Sequence, residues 1–248
     1  MKLRRTLLAL ASLGVAMAPA MASAQSNGDG FLFRAPKVQI GVRLGYAGAA
    51  AQSAVFDDAQ NFFTLDRSDF GGGLFGAEIA VRVSERMDVA LAFSNSSSRV
   101  LSEYRDWVGE DDLPIQQETT FTRQPFTASM KYYFADRGRS VSRFAWIPNR
   151  FAPYLGAGVG LMRYEFAQEG EFVDFVDYAI FPSRFESDGT AGTAHLLGGI
   201  ETSITPRMVM NLEGRYEWAS HDMGVDWQGY DPIDLSGFQV SVGLAVRF

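Results

Sequence analysis

The chain has 248 residues and a net charge of −7; 47% of its residues are hydrophobic and 21% are charged. This length and composition fit a single folded domain rather than a disordered chain. The absence of cysteine excludes a disulfide scaffold, thiolate zinc sites, iron–sulfur clusters and cysteine nucleophiles. Because Asp and Glu (29) outnumber Lys and Arg (22), a nucleic-acid partner is not expected.

Residues 1–24 have the features of a secretory signal peptide. The positive charges at its start are on Lys2, Arg4 and Arg5. The apolar run that follows, Leu7 to Ala18, is shorter than the roughly 20 residues that a transmembrane helix needs, which favours a cleaved signal over a membrane anchor. We expect cleavage after Ala24 and an exported domain over residues 25–248, whose net charge becomes −10 because three positive charges are removed.

Downstream of the signal, eight segments alternate between apolar and other residues with a period of two, which is typical of β-strands with two different faces. No stretch here has the apolar length of a transmembrane helix. The segments are residues 38–46, 74–83, 87–94, 126–134, 153–161, 194–204, 208–218 and 238–248. An even number of antiparallel strands can close without a free edge. The predicted fold class is therefore all-β, an eight-stranded antiparallel up-and-down β-barrel.

Alternation alone does not decide which face of the barrel is inside. A soluble lipocalin-type barrel would bury the aliphatic face, whereas a transmembrane barrel would turn it towards lipid. The polar face mixes charged residues with many glycines, as suits a narrow lumen, and the aliphatic faces tend to end in aromatic residues, as interfacial girdles do. The last strand also ends in Phe248. These features favour the transmembrane orientation.

Strand parity predicts which charged side chains point into this barrel. The predicted lumen residues are Arg43, Glu78, Arg82, Asp88, Lys131, Glu201, Glu213, Arg215 and Glu217, together with His195, which we expect beside Glu201. An eight-stranded barrel is only wide enough for side chains to fill it. We therefore expect a network of paired charges; the alternative is a gate whose pairs exchange to open a narrow path for a solute.

The connections between strands are long at one end of the barrel and mostly short at the other, which orients it, because outer-membrane barrels place short turns in the periplasm. The long connections, residues 48–70, 96–118, 165–190 and 220–234, carry −3, −4, −6 and −4, or −17 together. The opposite end carries +5 and includes an unexplained long turn from Ala135 to Arg150. Acidic loops attract divalent cations, although they also serve simply as a solubilising surface.

Catalytic, cofactor and metal sites are not predicted. His221 and Asp222 lie at the mouth of the last long loop, but catalysis needs a nucleophile or activated water, a base and an orienting carboxylate together. The loop carboxylates lack the spacing of a recognised calcium loop.

The signal peptide, the eight segments, the glycine-rich strand from Pro153 to Gly160 and the terminal Phe248 together resemble the eight-stranded outer-membrane barrels of Gram-negative bacteria. These are the OmpA-like, OmpW-like and opacity-protein-like barrels of the porin family. The resemblance covers the mature chain, but no peptidoglycan-binding domain follows the barrel, so cell-wall anchoring is not expected.

The resemblance implies an outer-membrane location, contact with lipid and lipopolysaccharide, a monomer, and insertion by the barrel-assembly machinery. In this family that machinery recognises a final strand ending in an aromatic residue. The corresponding residues are Phe238, Val240, Val242, Leu244, Val246 and Phe248. The function we expect is a structural or surface-interaction role through the acidic loops. The alternatives are a narrow porin-like channel and a barrel enzyme acting on lipid or peptide at the outer rim.

Overall fold

The computed structural model describes residues 30–109 and 112–248, so the predicted signal peptide lies outside the described residues. Eight antiparallel strands form a closed barrel in which neighbours in sequence pair with each other and the last strand pairs with the first. The strands are β1 (Val38–Ala49), β2 (Gly72–Arg82), β3 (Met87–Val108), β4 (Pro114–Tyr133), β5 (Phe151–Val173), β6 (Ile180–Ser203), β7 (Met208–Trp218) and β8 (Gly237–Arg247). The predicted fold is confirmed.

Short elements fill the connections. Helix α1 (Ala54–Phe62) lies between β1 and β2, and a small hairpin lies between β4 and β5. The remaining elements are the hairpin strands Gly138–Ser142 and Ala145–Pro148, the paired strands Ser220–His221 and Ile233–Asp234, and the 3₁₀ turns Arg67–Phe70 and Val225–Trp227. Within the described ranges, no helix is long and apolar enough to cross a membrane.

The four central strands are about twice as long as the others. Strands β3 to β6 have 22, 20, 23 and 24 residues, whereas β1, β2, β7 and β8 have 11 or 12. Two of the connections predicted as long loops, 96–118 and 165–190, are therefore mostly strand. The sequence pattern concealed them because serines and charged residues interrupt the apolar alternation past the apolar band.

The barrel therefore divides into two halves. Following the orientation predicted from the connection lengths, we call residues 50–71, 96–124, 162–193 and 219–236 the extracellular half, and the rest of the barrel the membrane-level half. In the membrane-level half the outward side chains are apolar and exposed, as in Leu155, Leu196 and Val242, while the interior is polar. A barrel in lipid has this arrangement, because its outer face meets acyl chains instead of water.

The extracellular half has the opposite arrangement. Its interior is an apolar core built around buried aromatic residues, while its outer face is largely polar. The large side chains of this core include Phe56, Phe63, Phe121, Tyr164, Phe166, Phe172 and Trp227. Burying aromatic residues in this way is how a water-soluble sandwich is stabilised. The outer face of this half is therefore suited to contact with water.

Candidate functional site

The centre of the membrane-level lumen is organised around one carboxylate. Glu213, on β7, accepts hydrogen bonds from Arg43 at 3.2 Å, from Lys131 at 3.1 Å and from Arg215 at 3.1 Å. The hydroxyl of Tyr154 donates a further bond at 3.0 Å. All five side chains are buried. Parity turns each of these residues inwards, Arg43 from β1, Lys131 from β4, Tyr154 from β5 and Arg215 from β7 beside Glu213, so that the strands bring three positive charges to one negative charge.

Two further carboxylates complete this central cluster. Lys131 Nζ lies 2.6 Å from Glu78, and Arg215 lies 3.5 Å from Glu217. The side-chain amide of Gln239 also donates to Glu217 at 2.9 Å. The central cluster thus has three carboxylates and three cations. The carboxylates are those of Glu78, Glu213 and Glu217, and the cations are Arg43, Lys131 and Arg215. Pairing matters because an unpaired ion in a buried site costs several kcal/mol.

His195 lies in the lumen but away from Glu201, contrary to expectation. Its Nε2 is 2.8 Å from the hydroxyl of Ser129, and in the strand register it is opposite Glu217. His195 and Glu201 are six residues apart on one strand, which is roughly 20 Å. The ring fits because Gly158 faces it: a Cβ at residue 158 would come within 2.6 Å of the imidazole.

A second layer of charges lies at the other end of the lumen, which is predicted to face the periplasm. Asp88 receives two hydrogen bonds from Arg137, at 2.5 and 2.7 Å, and Glu201 pairs with Arg247. Arg82 takes no part in these pairs. It is half-buried and donates to the carbonyls of the β2–β3 turn, because it lies at the last residue of β2.

Several lumen residues were not predicted. Buried residues outside the predicted set include Arg123, Tyr133, Arg137, Tyr154 and Arg247. Parity could have found Arg247, since it lies between two outward residues of the final strand, and the same holds for the two tyrosines. No alternation identifies Arg137, because it lies in the β4–β5 connection.

The lumen holds little free space. The cavity beside Arg43, Glu78 and Glu213 has a volume of about 30 Å³, and a second one beside Asp88 and Arg137 has about 10 Å³. A single water needs roughly 10 to 15 Å³ of such space. These two cavities therefore have room for about three waters.

The extracellular half is closed by α1. Phe56 of this helix is fully buried, and its ring contacts those of Phe70, Phe121 and Phe166 with centroid distances of 4.7, 5.4 and 5.6 Å. Edge-to-face contacts of this kind are favourable beyond the apolar area that they bury. The helix thus packs into the mouth formed by the long strands.

The last loop fixes α1 in this position. The carboxylate of Asp231 accepts the backbone N–H of Ala54 at 3.0 Å, so the helix receives its N-terminal cap from a distant segment. Tyr230 donates to Asp58 of the helix at 2.8 Å. Burial, with help from this hydrogen bond, raises the pKa of Tyr230 to about 12. The loop acids are therefore partly engaged in holding the fold together.

Exposed and partly exposed apolar residues, most of them aromatic, gather at the far end of the extracellular half. We call Phe62, Trp107, Phe175, Val176 and Tyr178 the tip cluster. Tyr178 stacks on Trp107 at 5.4 Å, and Phe175 lies 5.5 Å from Phe62 and 6.0 Å from Trp107. Val176 is 90% exposed and Tyr178 64%. The α1 end and two hairpin ends thus form one apolar surface in contact with water.

The β5–β6 hairpin end that carries this surface is held rigidly. Tyr178 has a φ of +62°, a conformation that is strained for a residue with a large side chain. Its N–H donates to the carbonyl of Asp174 at 2.8 Å, and the Asp174 carboxylate accepts the N–H of Val176 at 2.8 Å. The exposed carboxylates in the two hairpin ends are Asp106, Asp112, Glu171, Asp174 and Asp177. Because Arg105 is the exposed basic residue beside them, the segments that carry the tip cluster have a net negative charge.

The outer face of β5 and β6 is also acidic. Arg184 contacts three carboxylates there, those of Glu165 at 3.9 Å, Glu169 at 2.9 Å and Glu186 at 3.2 Å. One arginine does not neutralise three acids. The three carboxylate side chains are 44 to 63% exposed, so their negative charge is available to attract a cation from solution.

His221 does not form a catalytic constellation with the described residues. Its Nδ1 is 2.6 Å from the backbone carbonyl of Asp222 and 3.4 Å from the hydroxyl of Tyr164, and no described carboxylate side chain hydrogen-bonds to it. Ser187, which lies nearby, accepts the N–H of Gly224 at 2.9 Å and is buried. Among the residues with assigned positions, no group of three or more His, Asp or Glu is arranged to hold a metal ion.

The fold is similar to that of solved outer-membrane barrels. Neisserial surface protein A matches with a TM-score of 0.51 and 16% identity, covering 85% of this chain and 97% of that one. Lower-scoring matches are Ail of Yersinia pestis (TM-score 0.43, 12% identity, 86% and 99% covered) and the outer membrane protease OmpT of Escherichia coli (0.39, 10%, 90% and 100%). No family model and no curated protein matches the sequence. The chain therefore has the fold of an outer-membrane β-barrel.

Proposed function

We propose that the protein is an integral outer-membrane barrel whose extracellular half is a rigid acidic surface that binds a positively charged, partly apolar partner. The observation that carries this proposal is the tip cluster. Large apolar residues exposed together on a soluble surface are typical of interaction sites. Here they are surrounded by carboxylates, so a partner with both cationic and apolar groups complements the surface.

Rigidity supports a binding role. The aromatic core under the tip cluster, the capping of α1 by Asp231 and the hydrogen bonds of residues 174–179 hold the surface in one shape. A preformed surface loses little conformational entropy when a partner binds. Its acidity adds long-range attraction, which speeds the encounter with a cation and weakens at high salt.

The filled lumen argues for a structural and binding role over a channel. Most of the charged groups in it are paired, the two cavities described above have room for about three waters, and Phe56 of α1 packs into the outer mouth. We expect the refolded protein to show no discrete conductance steps in a planar bilayer at any voltage. Regular conductance steps from the pure protein would instead favour the narrow-channel alternative.

Binding to the tip cluster is tested with a cationic amphipathic peptide and the barrel refolded in nanodiscs. We expect salt-sensitive binding that Phe175→Ser with Tyr178→Ser weakens by about thirty-fold, the size expected for loss of an interface hot spot. The matched control is Leu101→Ser, since this leucine is 75% exposed on the outer face of β3 but lies outside the tip cluster. Equal affinity for wild type and both variants, or no binding by a folded barrel, would contradict the proposal.

A further inference from the structure

We infer that the periplasmic hairpin, residues 135–150, binds the headgroups of anionic phospholipids in the inner leaflet of the membrane. This long connection is not needed to join two neighbouring antiparallel strands, because a few residues suffice for a turn. The inference depends on the membrane placement proposed above, but not on any extracellular partner.

The hairpin is firmly anchored to the barrel on one side. Arg137, at its start, reaches into the lumen to make the two hydrogen bonds with Asp88. Trp146 is 2% exposed, and its backbone exchanges hydrogen bonds of 2.7 and 2.8 Å with Leu32. These contacts leave the opposite side of the hairpin facing outwards in a fixed position.

That outward side is positively charged. Arg139, Arg143 and Arg150 are exposed, and within residues 30–109 and 112–248 no carboxylate pairs with any of them. Asp136, the acid of the hairpin, is already paired with Arg86 at 3.0 Å. Unneutralised arginines beside a membrane are attracted to anionic headgroups.

The same side also carries exposed apolar residues. Val141 and Phe144 are 60% and 65% exposed; Val141 lies between Arg139 and Arg143 in the sequence, and Phe144 is next to Arg143. Basic residues mixed with exposed aromatic and aliphatic ones are typical of segments that lie in a membrane interface.

The hairpin is placed next to that interface. Phe134 precedes it and Phe151 follows it; both are more than half exposed on the lipid-facing side of the barrel. The Arg150 guanidinium lies 5.5 Å from the ring of Phe151. Peptidoglycan also offers negative charge, but it has no apolar phase to receive Phe144. The combination therefore favours phospholipid.

Lipid preference is measured by native mass spectrometry of the full chain released from nanodiscs that contain phosphatidylcholine and phosphatidylglycerol. We expect wild type to retain phosphatidylglycerol preferentially. Replacing both arginines, Arg139→Gln with Arg143→Gln, should reduce that preference by about thirty-fold, as expected for two arginines near an anionic surface. Phe144→Ser should reduce the retention of both lipids at this site.

Arg207→Gln is the matched control, since Arg207 is exposed on the β6–β7 turn at the same end of the barrel. Heat-modifiable mobility in gels verifies that each variant is folded and inserted, which separates a failure of the hairpin from a failure of the membrane placement. The inference is overturned if the double variant keeps the wild-type preference or if Arg207→Gln loses as much. It is also overturned if the two arginines control sedimentation with purified peptidoglycan while lipid retention is unchanged.

Discussion

The long strands have an apolar outward face in the membrane-level half and a mostly polar outward face in the extracellular half. In β4, Lys131 faces the lumen and Met130 faces outwards at the membrane level, whereas further along the same strand Phe121 faces inwards and Thr120 outwards. The period of two is kept along β4; what changes is the solvent outside the barrel. The comparison teaches that alternation specifies a strand, while the sign of the alternation reports which solvent the strand meets.

The halves are also held together differently. The membrane-level interior depends on paired charges, for which the desolvation penalty offsets much of the attraction, so that removing one partner is costly although the intact pair contributes little. The extracellular interior depends on apolar burial, which stabilises in proportion to the area removed from water. Mutations in the two halves should therefore destabilise the protein for different physical reasons.

The largest effect is expected from Glu213→Ala. Lys131 keeps Glu78 and Arg215 keeps Glu217, but Arg43 loses its carboxylate, so the free energy of unfolding should fall by about 4 kcal/mol. Urea unfolding in lipid bilayers measures this.

The matched control for that change is Glu118→Gln, which removes the partner of the exposed Arg99 on the outer face of the extracellular half. Its cost should stay below about 1 kcal/mol. Equal losses for the two variants would show that the lumen pairs are not desolvated as described.

Phe56→Ala tests the apolar core. Removing this buried ring should cost about 3 kcal/mol, and the loss should be local, because the core of the extracellular half does not extend into the membrane-level barrel. Hydrogen exchange should show faster opening of residues 50–71 with unchanged protection in β8. Phe62→Ala, on the exposed end of the same helix, should change exchange little, and loss of heat-modifiable folding in Phe56→Ala would contradict the separation of the halves.

Asp231→Ala removes the cap that the last loop supplies to α1. The backbone N–H of Ala54 then loses its acceptor, at a cost of about 1 kcal/mol to the docking of the helix. Proteolysis within residues 50–71 should become faster, whereas Asp231→Asn, which keeps an acceptor oxygen, should remain close to wild type. Unchanged proteolysis in the alanine variant would argue against the capping contact.

Alkaline pH should produce the smallest effect. Because the folded-state pKa of Tyr230 is raised to about 12, above the roughly 10 of an unfolded tyrosine, its contribution is fully present below pH 10 and disappears as the pH rises through 12. Proteolysis of the α1 loop between these pH values should accelerate in wild type more than in Tyr230→Phe. Identical pH profiles of proteolysis for wild type and Tyr230→Phe would show that Tyr230 does not cause the acceleration.

The sequence was most informative about the strands of the membrane-level half. Every membrane-level strand was recognised, because an uninterrupted apolar face against a polar one is a strong signal. The extracellular continuations were taken for loops because serines and charged residues interrupt them, as in Ser96–Ser98, and their inward aromatic residues are widely spaced. Side-chain parity placed the inward charges within single strands, but it could not identify partners such as Arg137, which depend on how a turn folds back.

The reversal of polarity is tested most directly on one face of one strand. Leu196 and Asp188 of β6 both point outwards and are eight residues apart, and since the chain has no cysteine, single cysteines at these positions can each carry one environment-sensitive fluorophore. The account predicts that the label at residue 196 is quenched by spin-labelled lipid and the label at residue 188 by aqueous iodide. Quenching of both labels by the same agent would contradict it.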